Sequence, residues 1–145
     1  ADVTIAVSDA EGFGLSMQES ISCGVPIIAT VTGGMQDQIF TDSGDPCGVP
    51  LFPTSKAVIG SQQVPYIYED RLSADHVKSA LSNIYDLGEE GRAKLGQLGR
   101  EHALKNFSLE SFNKKWPDLM SKIYEENGSW DTRKNYNGIT FKEIV

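Results

Sequence analysis

The fold is decided by residues 2–30, which read DVTIAVSDAEGFGLSMQESISCGVPIIAT. The first seven are rich in β-branched and apolar residues, which favours a parallel strand buried on both faces. After a turn, residues 15–23 are typical of a helix, and Gly24 suits the left-handed position that ends one. Residues 25–30 predict a second buried strand, with Pro26 at its start, where proline is tolerated. Together they make a βαβ unit, for which a right-handed crossover is expected.

The next stretch, residues 32–71, is rich in Gly, Pro, Asp and Ser. One short strand is predicted at 49–52, and an apolar patch lies at 64–68. Loop-rich stretches of this length inside a domain are usually functional. The segment 59–71 reads IGSQQVPYIYEDR.

Three helices are predicted in the second half of the chain. Ser73 caps the first, which runs to about residue 87 with an apolar stripe on one face. The second runs from about 89 to 106, and the third begins after Ser108 and is broken or kinked by Pro117. His76 and His102 fall on these helices and are expected at the surface. The polar tail from residue 127 carries four possible docking side chains: Trp130, Tyr136, Ile139 and Phe141.

Composition limits the possible functions. The chain has 145 residues, enough for one domain with a core. Its formal charge of −7 and the lack of a basic run longer than two residues argue against nucleic-acid binding. It has no apolar run of the ~20 residues that a transmembrane helix needs. The two cysteines, Cys23 and Cys47, are too few for a zinc site and favour reduced thiols in a cytoplasmic protein.

The residues that carry chemistry lie in the first turn and the helix after it. Glu11 follows the first strand, and Glu19 lies eight positions later, inside the helix. Gly12 and Gly14 allow the backbone to approach a ligand closely. The helix start offers unpaired amides, which form a natural anion site. Ligands of open α/β sheets bind outside the carboxyl ends of the strands, which is where this turn falls.

A second glycine turn, residues 32–37, follows the second strand. Consecutive parallel strands usually neighbour each other, so the two turns are expected side by side on one edge of the sheet. Asp37 in the second turn either caps the following segment or contacts a ligand. Two adjacent glycine turns predict a cleft.

This arrangement resembles the E-x7-E signature of the retaining glycosyltransferases called group 1 or family 4. The matching residues are Ser8 and Glu11 through Leu15, then Glu19, then Cys23 through Thr30, and finally Gly33, Gly34 and Asp37. Ser20, Ile21 and Ser22 stand where the family commonly has Ala, Met and Ala. The resemblance implies a partial C-terminal domain of the GT-B fold. The expected class is therefore α/β, with a Rossmann-like parallel sheet, flanking helices and a helical C-terminal region.

The resemblance also implies a role for each matched position. Glu11 would orient the transferred sugar as the catalytic residue, and the backbone of Gly12, Phe13 and Gly14 would contact its hydroxyls. The amides of Leu15 and Ser16 would receive the distal phosphate, and Glu19 would accept hydrogen bonds from both ribose hydroxyls. A helix rises ~1.5 Å per residue, so Glu19 lies ~5–7 Å beyond those amides, about the step from a pyrophosphate to its ribose.

The reaction implied is transfer of a hexose from a UDP- or GDP-linked donor with retained anomeric configuration. The leaving nucleoside diphosphate would be stabilised electrostatically. No metal or other cofactor is expected, since such enzymes generally need none and the chain has no Asp-x-Asp pair. The acceptor could be a carbohydrate, a lipid or a protein. The segment 59–71 would cover either the nucleotide of the donor or the acceptor.

The resemblance leaves part of the machinery outside this sequence. The family uses an Arg and a Lys upstream of its glutamates, and a separate N-terminal acceptor domain, and neither has a counterpart here. We therefore expect a donor-binding domain over residues 1–126 and a polar tail over residues 127–145. We also expect that the first strands and helices of the domain lie upstream of this sequence. A non-catalytic nucleotide-sugar-binding module or an inactive fragment is the alternative. An epimerase or phosphorylase of the same fold ranks last, because such epimerases lack the matching pair of glutamates.

Overall fold

The computed structural model describes residues 1–134. The predicted docking side chains of Tyr136, Ile139 and Phe141 lie outside the described residues. The chain divides into one unit over Ala1–Phe107 and a second that begins at Ser108. The donor-domain boundary at residue 126 stays a prediction.

Five strands and five helices are described. In chain order they are β1 (Thr4–Ala6), α1 (Leu15–Ser22), β2 (Ile27–Thr30), α2 (Met35–Ile39), β3 (Val49–Leu51), β4 (Ser55–Ile59), β5 (Ile67–Arg71), α3 (Ala74–Asp86), α4 (Gly88–Phe107) and α5 (Leu109–Asn127). None of the helices within residues 1–134 is long and apolar enough to cross a membrane.

The predicted βαβ unit is confirmed. The first three strands form a parallel sheet in the order β1-β2-β3, with Ile28 opposite both Ile5 and Val49. Every residue of β2 is buried, as the central strand of a sheet covered on both faces should be. Helix α1 ends where Gly24 adopts a φ of 76°, in the left-handed region.

The first strand differs from the prediction of burial on both faces. Ile5 is 42% exposed and Val7 is 52% exposed, although both are apolar. Strand β1 pairs with β2 alone, so it forms an edge of the described sheet. A continuous apolar run therefore indicated a strand correctly but did not reveal its position in the sheet.

The loop-rich stretch contains a short helix, α2, and a hairpin, and neither was predicted from the sequence. Strands β4 and β5 form an antiparallel hairpin, with Ser55 opposite Arg71 at its base and Ile59 opposite Ile67 at its tip. Seven residues, 60–66, connect the two strands. The strongest sequence signal for a hairpin is a two-residue turn, which is absent here.

Helices α1, α3 and α4 follow the prediction closely. Ser73 caps α3 by accepting a hydrogen bond from the His76 amide, and Ala80 and Ile84 face the core. His76 is exposed, as predicted. The prediction for His102 is wrong: it is buried, because its Nε2 lies 2.8 Å from the Asp37 carbonyl oxygen and its ring packs on Phe107.

Helix α5 belongs to the second unit. Ser108 caps it by accepting a hydrogen bond from the Ser111 amide, which confirms the predicted start. Pro117 lies inside the helix and does not end it. No residue of α5 is buried, and the Phe112 and Trp116 rings stack on each other with centroids 5.6 Å apart.

Candidate functional site

Two glycine turns meet at the carboxyl edge of the parallel sheet. The Gly34 amide donates a hydrogen bond to the Gly12 carbonyl oxygen over 2.9 Å. A Cβ atom at Gly33 would lie 1.6 Å from the carbonyl oxygen of Glu11, and one at Gly34 would lie 2.8 Å from the Phe13 Cα. Only glycine permits this approach. The predicted pairing of the turns is confirmed, and we call residues 11–14 with 32–34 the glycine rim.

A buried threonine joins the strands below the rim. The Thr30 hydroxyl accepts a hydrogen bond from the Ser8 amide over 3.2 Å and donates one to the Ala6 carbonyl over 3.4 Å. Thr30 is fully buried. These bonds extend the contact between β1 and β2 beyond their ladder, so the turns that follow leave the sheet side by side.

Helix α2 supports the rim from beneath. The Gln38 side-chain amide donates to the Phe13 carbonyl oxygen, and the Met35 side chain packs against Gly14. Gln38 is itself fully buried, and its carbonyl accepts a hydrogen bond from the Cys47 thiol over 3.1 Å. Burial raises the pKa of that thiol to about 11.

The Phe13 ring is partly exposed and makes an edge-on contact with Phe107, with centroids 5.9 Å apart. This contact holds the turn against α4. The ring therefore has a packing role, and the backbone of Phe13 remains the part expected to face a ligand.

The first two residues of α1, Leu15 and Ser16, are exposed, whereas the N-cap residue Gly14 is buried. Gly14 occupies the N-cap position with a φ of 86°, and no side chain caps the helix. The amides of Met17 and Gln18 donate to the Gly14 carbonyl, both over 3.1 Å. The amides before them have no acceptor within the helix, and Leu15 is 69% exposed. The predicted anion site at Leu15 and Ser16 is therefore accessible.

The two glutamates differ in their surroundings. Glu11 is half-buried, and its Oε1 accepts a hydrogen bond from the Gly12 amide over 2.9 Å. Glu19 is exposed on α1, and no ion pair or hydrogen bond to a residue among 1–134 engages its carboxylate. One oxygen of Glu11 is thus oriented by the turn, whereas both oxygens of Glu19 are available to a ligand.

The base of the β4–β5 hairpin is attached beside the rim. The Asp70 amide donates to the Asp9 carbonyl over 2.9 Å, and the Arg71 guanidinium forms a 2.7 Å ion pair with the Asp9 carboxylate. Arg71 also pairs with Glu69 at 2.9 Å, and these neighbours raise the pKa of the guanidinium. The sequence indicated a functional segment at 59–71. It did not indicate that Asp9 and Arg71 pair with each other, because no local pattern links them.

Asp37 lies in the first turn of α2, with its amide donating to Gly34 and its carbonyl beside His102. Its main chain therefore has a structural role, and ligand contact by its carboxylate stays a prediction. Among residues 1–134, no group of three His, Cys, Asp or Glu side chains is placed to hold a metal ion. That the reaction requires no metal also stays a prediction.

Comparison with known proteins supports the resemblance to group 1 glycosyltransferases over the first part of the chain. Residues 1–55 match the model of the family described as glycosyl transferases group 1. These residues include all seven predicted site residues. The match supports glycosyl transfer as the class of activity. No curated protein matches the chain.

A solved structure, sucrose-phosphate synthase from Thermosynechococcus elongatus, has a similar fold. The TM-score is 0.62 at 23% sequence identity, over 86% of this chain. The chain spans only 26% of the length of that structure. The predicted α/β class, with a parallel sheet, flanking helices and a helical C-terminal region, is confirmed and is similar to that of a GT-B glycosyltransferase. The roles of the individual residues stay predictions.

Proposed function

We propose that this chain supplies the donor-binding part of a retaining glycosyltransferase that transfers a hexose from a UDP- or GDP-linked sugar. One observation carries the proposal. The Glu11–Gly14 turn, packed backbone to backbone on Gly33 and Gly34, lies at the sheet edge beside an open helix start. This is the surface on which a diphosphate-linked sugar fits.

The hydrogen bonds of the rim refine the proposed roles. The Gly12 amide donates its hydrogen bond to the Glu11 carboxylate, and the Gly12 carbonyl accepts one from the Gly34 amide. The amides of Phe13 and Gly14 are therefore the backbone donors proposed to contact sugar hydroxyls. Glu11 would use its second oxygen to orient the transferred sugar, since a carboxylate can accept several hydrogen bonds.

The phosphate and ribose would follow along α1. The amides of Leu15 and Ser16, with the positive end of the helix dipole, would stabilise the diphosphate as its bond to the sugar breaks. Glu19 would bind both ribose hydroxyls through charge-assisted hydrogen bonds. No step needs a metal ion in this scheme.

Titration calorimetry with UDP-glucose and GDP-mannose tests donor binding. We expect one of the two to bind with a dissociation constant of about 1 mM or tighter, about 4 kcal/mol of binding free energy. Glu19→Ala should weaken binding about 10- to 100-fold, the range for lost hydrogen bonds to a charged group. Glu89→Ala is the matched control, since Glu89 is an exposed helical glutamate on α4. Equal affinity of Glu19→Ala and the wild type would remove the ribose role.

A second candidate is a nucleotide-sugar-binding module without catalytic activity. It is favoured by the pairing of Arg71 with two carboxylates, which leaves that cation engaged rather than facing a pyrophosphate. Turnover assays on a protein that carries an acceptor domain separate the two candidates. Enzymatic function predicts at least about a 100-fold loss of turnover in Glu11→Ala, whereas donor binding without turnover identifies the module. The same proposal includes a separate acceptor domain and a cytoplasmic location. The acceptor itself would be a carbohydrate, a lipid or a protein.

A further inference from the structure

We propose that the β4–β5 hairpin is an acceptor-binding arm that holds an uncharged oligosaccharide chain beside the glycine rim. This inference rests on the proposed donor site and names the class of acceptor that the site would serve. Four features carry it: the composition of the tip, its exposure, its backbone conformation, and the place where its base is attached.

The tip is exposed and yet lacks charged side chains. Residues 57–68 read AVIGSQQVPYIY and contain no charged side chain, whereas 23% of the whole chain is charged. Ser61, Gln62 and Gln63 offer both hydrogen-bond donors and acceptors, which matches the hydroxyl groups of a sugar. A charged ligand would meet no opposite charge there. The composition favours a neutral, hydroxyl-rich ligand.

The apolar side chains of the tip face solvent. Tyr66 is 77% exposed, Tyr68 is 64% exposed, and Val58 and Val64 are 58% and 56% exposed. Contiguous exposed apolar groups with polar neighbours mark binding surfaces. Tyrosine rings offer a flat apolar face with a polar end, and the C–H face of a pyranose ring can stack on such a surface.

The backbone at Tyr66 is strained. Its φ of 60° lies in the left-handed region, where no other non-glycine among residues 1–134 is found. A bulky residue in this region is an outlier that the surrounding structure must enforce. Glycine would adopt the same conformation freely, so an exposed tyrosine at this position indicates that its ring is needed.

The attachment of the base indicates which part of the substrate the arm meets. Asp9 binds both Asp70 and Arg71, and it precedes Glu11 by two residues, which span at most about 7 Å of chain. Glu19 lies beyond the helix start, on the proposed nucleoside side. Four residue steps from base to tip give the hairpin a reach of ~13 Å. The arm is thus attached near the transferred sugar and is long enough to contact several units of an acceptor chain.

Nuclear magnetic resonance titration of the chain tests the arm directly. The probes are three neutral hexasaccharides, from maltose, cellulose and mannan series, and a charged one from hyaluronan. We expect at least one neutral probe to shift the amide signals of residues 57–68, and the hyaluronan hexasaccharide to leave them unchanged. Tyr66→Gly and Tyr68→Ala should each weaken binding about tenfold, as expected for a lost aromatic contact. Tyr66→Gly keeps the left-handed backbone accessible, so its effect reports on the ring.

Tyr85→Ala is the matched control, because Tyr85 is 80% exposed on α3, outside the hairpin. The absence of hairpin shifts with every neutral probe overturns the inference, as does equal binding of the charged probe. Sedimentation measures whether the chain self-associates. Self-association that is abolished by Tyr68→Ala would identify the hairpin as an interface between copies and would also overturn the inference.

The donor titrations on the same samples keep the two proposals apart. Donor binding retained in Tyr66→Gly, with oligosaccharide binding weakened, supports both. Donor binding by the wild type without any hairpin response overturns the arm alone. Failure of the wild type to bind either donor overturns the proposed function, and with it the acceptor role of the hairpin.

Discussion

The glycine rim and the β4–β5 hairpin are neighbours with opposite construction. In the rim, backbone packs on backbone, Gly33 abuts the Glu11 carbonyl, and buried side chains support it from below. In the hairpin, the strands are held by their ladder and by two contacts to Asp9, and the tip faces solvent. Steric necessity therefore determines the rim, whereas the tip can vary in sequence without loss of the fold.

Gly33→Ala should have the largest effect on stability. The added Cβ would meet the Glu11 carbonyl oxygen at 1.6 Å, and the φ of 49° disfavours any side chain. We expect a loss of about 3–5 kcal/mol in the free energy of unfolding, measured by urea denaturation. Gly12→Ala is the control, since nothing lies within 4 Å of its Cβ position. A Gly33→Ala protein as stable as Gly12→Ala would disprove the tight packing of the rim.

The Cys47 thiol tests the support beneath the rim through pH. Its pKa of about 11 in the folded chain exceeds the ordinary value of 9.0, because the charged form is disfavoured by burial. Below pH 9 both states hold the proton, so this group adds no pH dependence. Between pH 9 and 11 the unfolded chain releases its proton first, so stability falls with rising pH, by roughly 3 kcal/mol in total.

The measurement compares unfolding free energies of the wild type and Cys47→Ala from pH 8 to 11 in reducing buffer. The wild type should lose more stability than Cys47→Ala across this range. Cys23→Ala serves as the control, because Cys23 is exposed. Parallel pH curves for the wild type and Cys47→Ala would show that the thiol is not held in an apolar environment.

Arg71→Ala should have the smallest effect and act on the hairpin alone. Loss of the 2.7 Å ion pair with Asp9 loosens the base, so the Asp70 amide should exchange its hydrogen about fivefold faster. The Gly34 amide, in the rim, should keep its exchange rate. Lys56→Ala is the matched control, since its 3.8 Å pair with Asp70 involves a largely exposed ammonium. Equal acceleration at Gly34 would mean that rim and hairpin open together.

Much of the fold could be predicted because its signals are local. The β-branched run at residues 2–8, the stop at Gly24 and the caps at Ser73 and Ser108 each depend on a few consecutive residues. The side-by-side glycine turns were also predictable, since strands that follow each other in a βαβ unit usually pair.

The errors fall where distant residues decide the outcome. His102 lies on a helix that looks polar, yet it is buried against Asp37. Ile5 and Val7 look like core residues, yet β1 is an edge of the described sheet. The hairpin was missed because its seven-residue connection lacks a turn signature, and its register depends on pairing across that connection.

The order of the chemical groups follows from the amino-acid sequence: a carboxylate, a glycine turn, a helix start and a second carboxylate lie along one strand–helix junction. The distant residues that complete this surface depend on the folded chain, in which Gly33 and Gly34 pack against the first turn and Arg71 pairs with Asp9. Periodicity and capping report only contacts within a few residues. Close packing and ion pairing instead depend on where the folded backbone brings remote segments together.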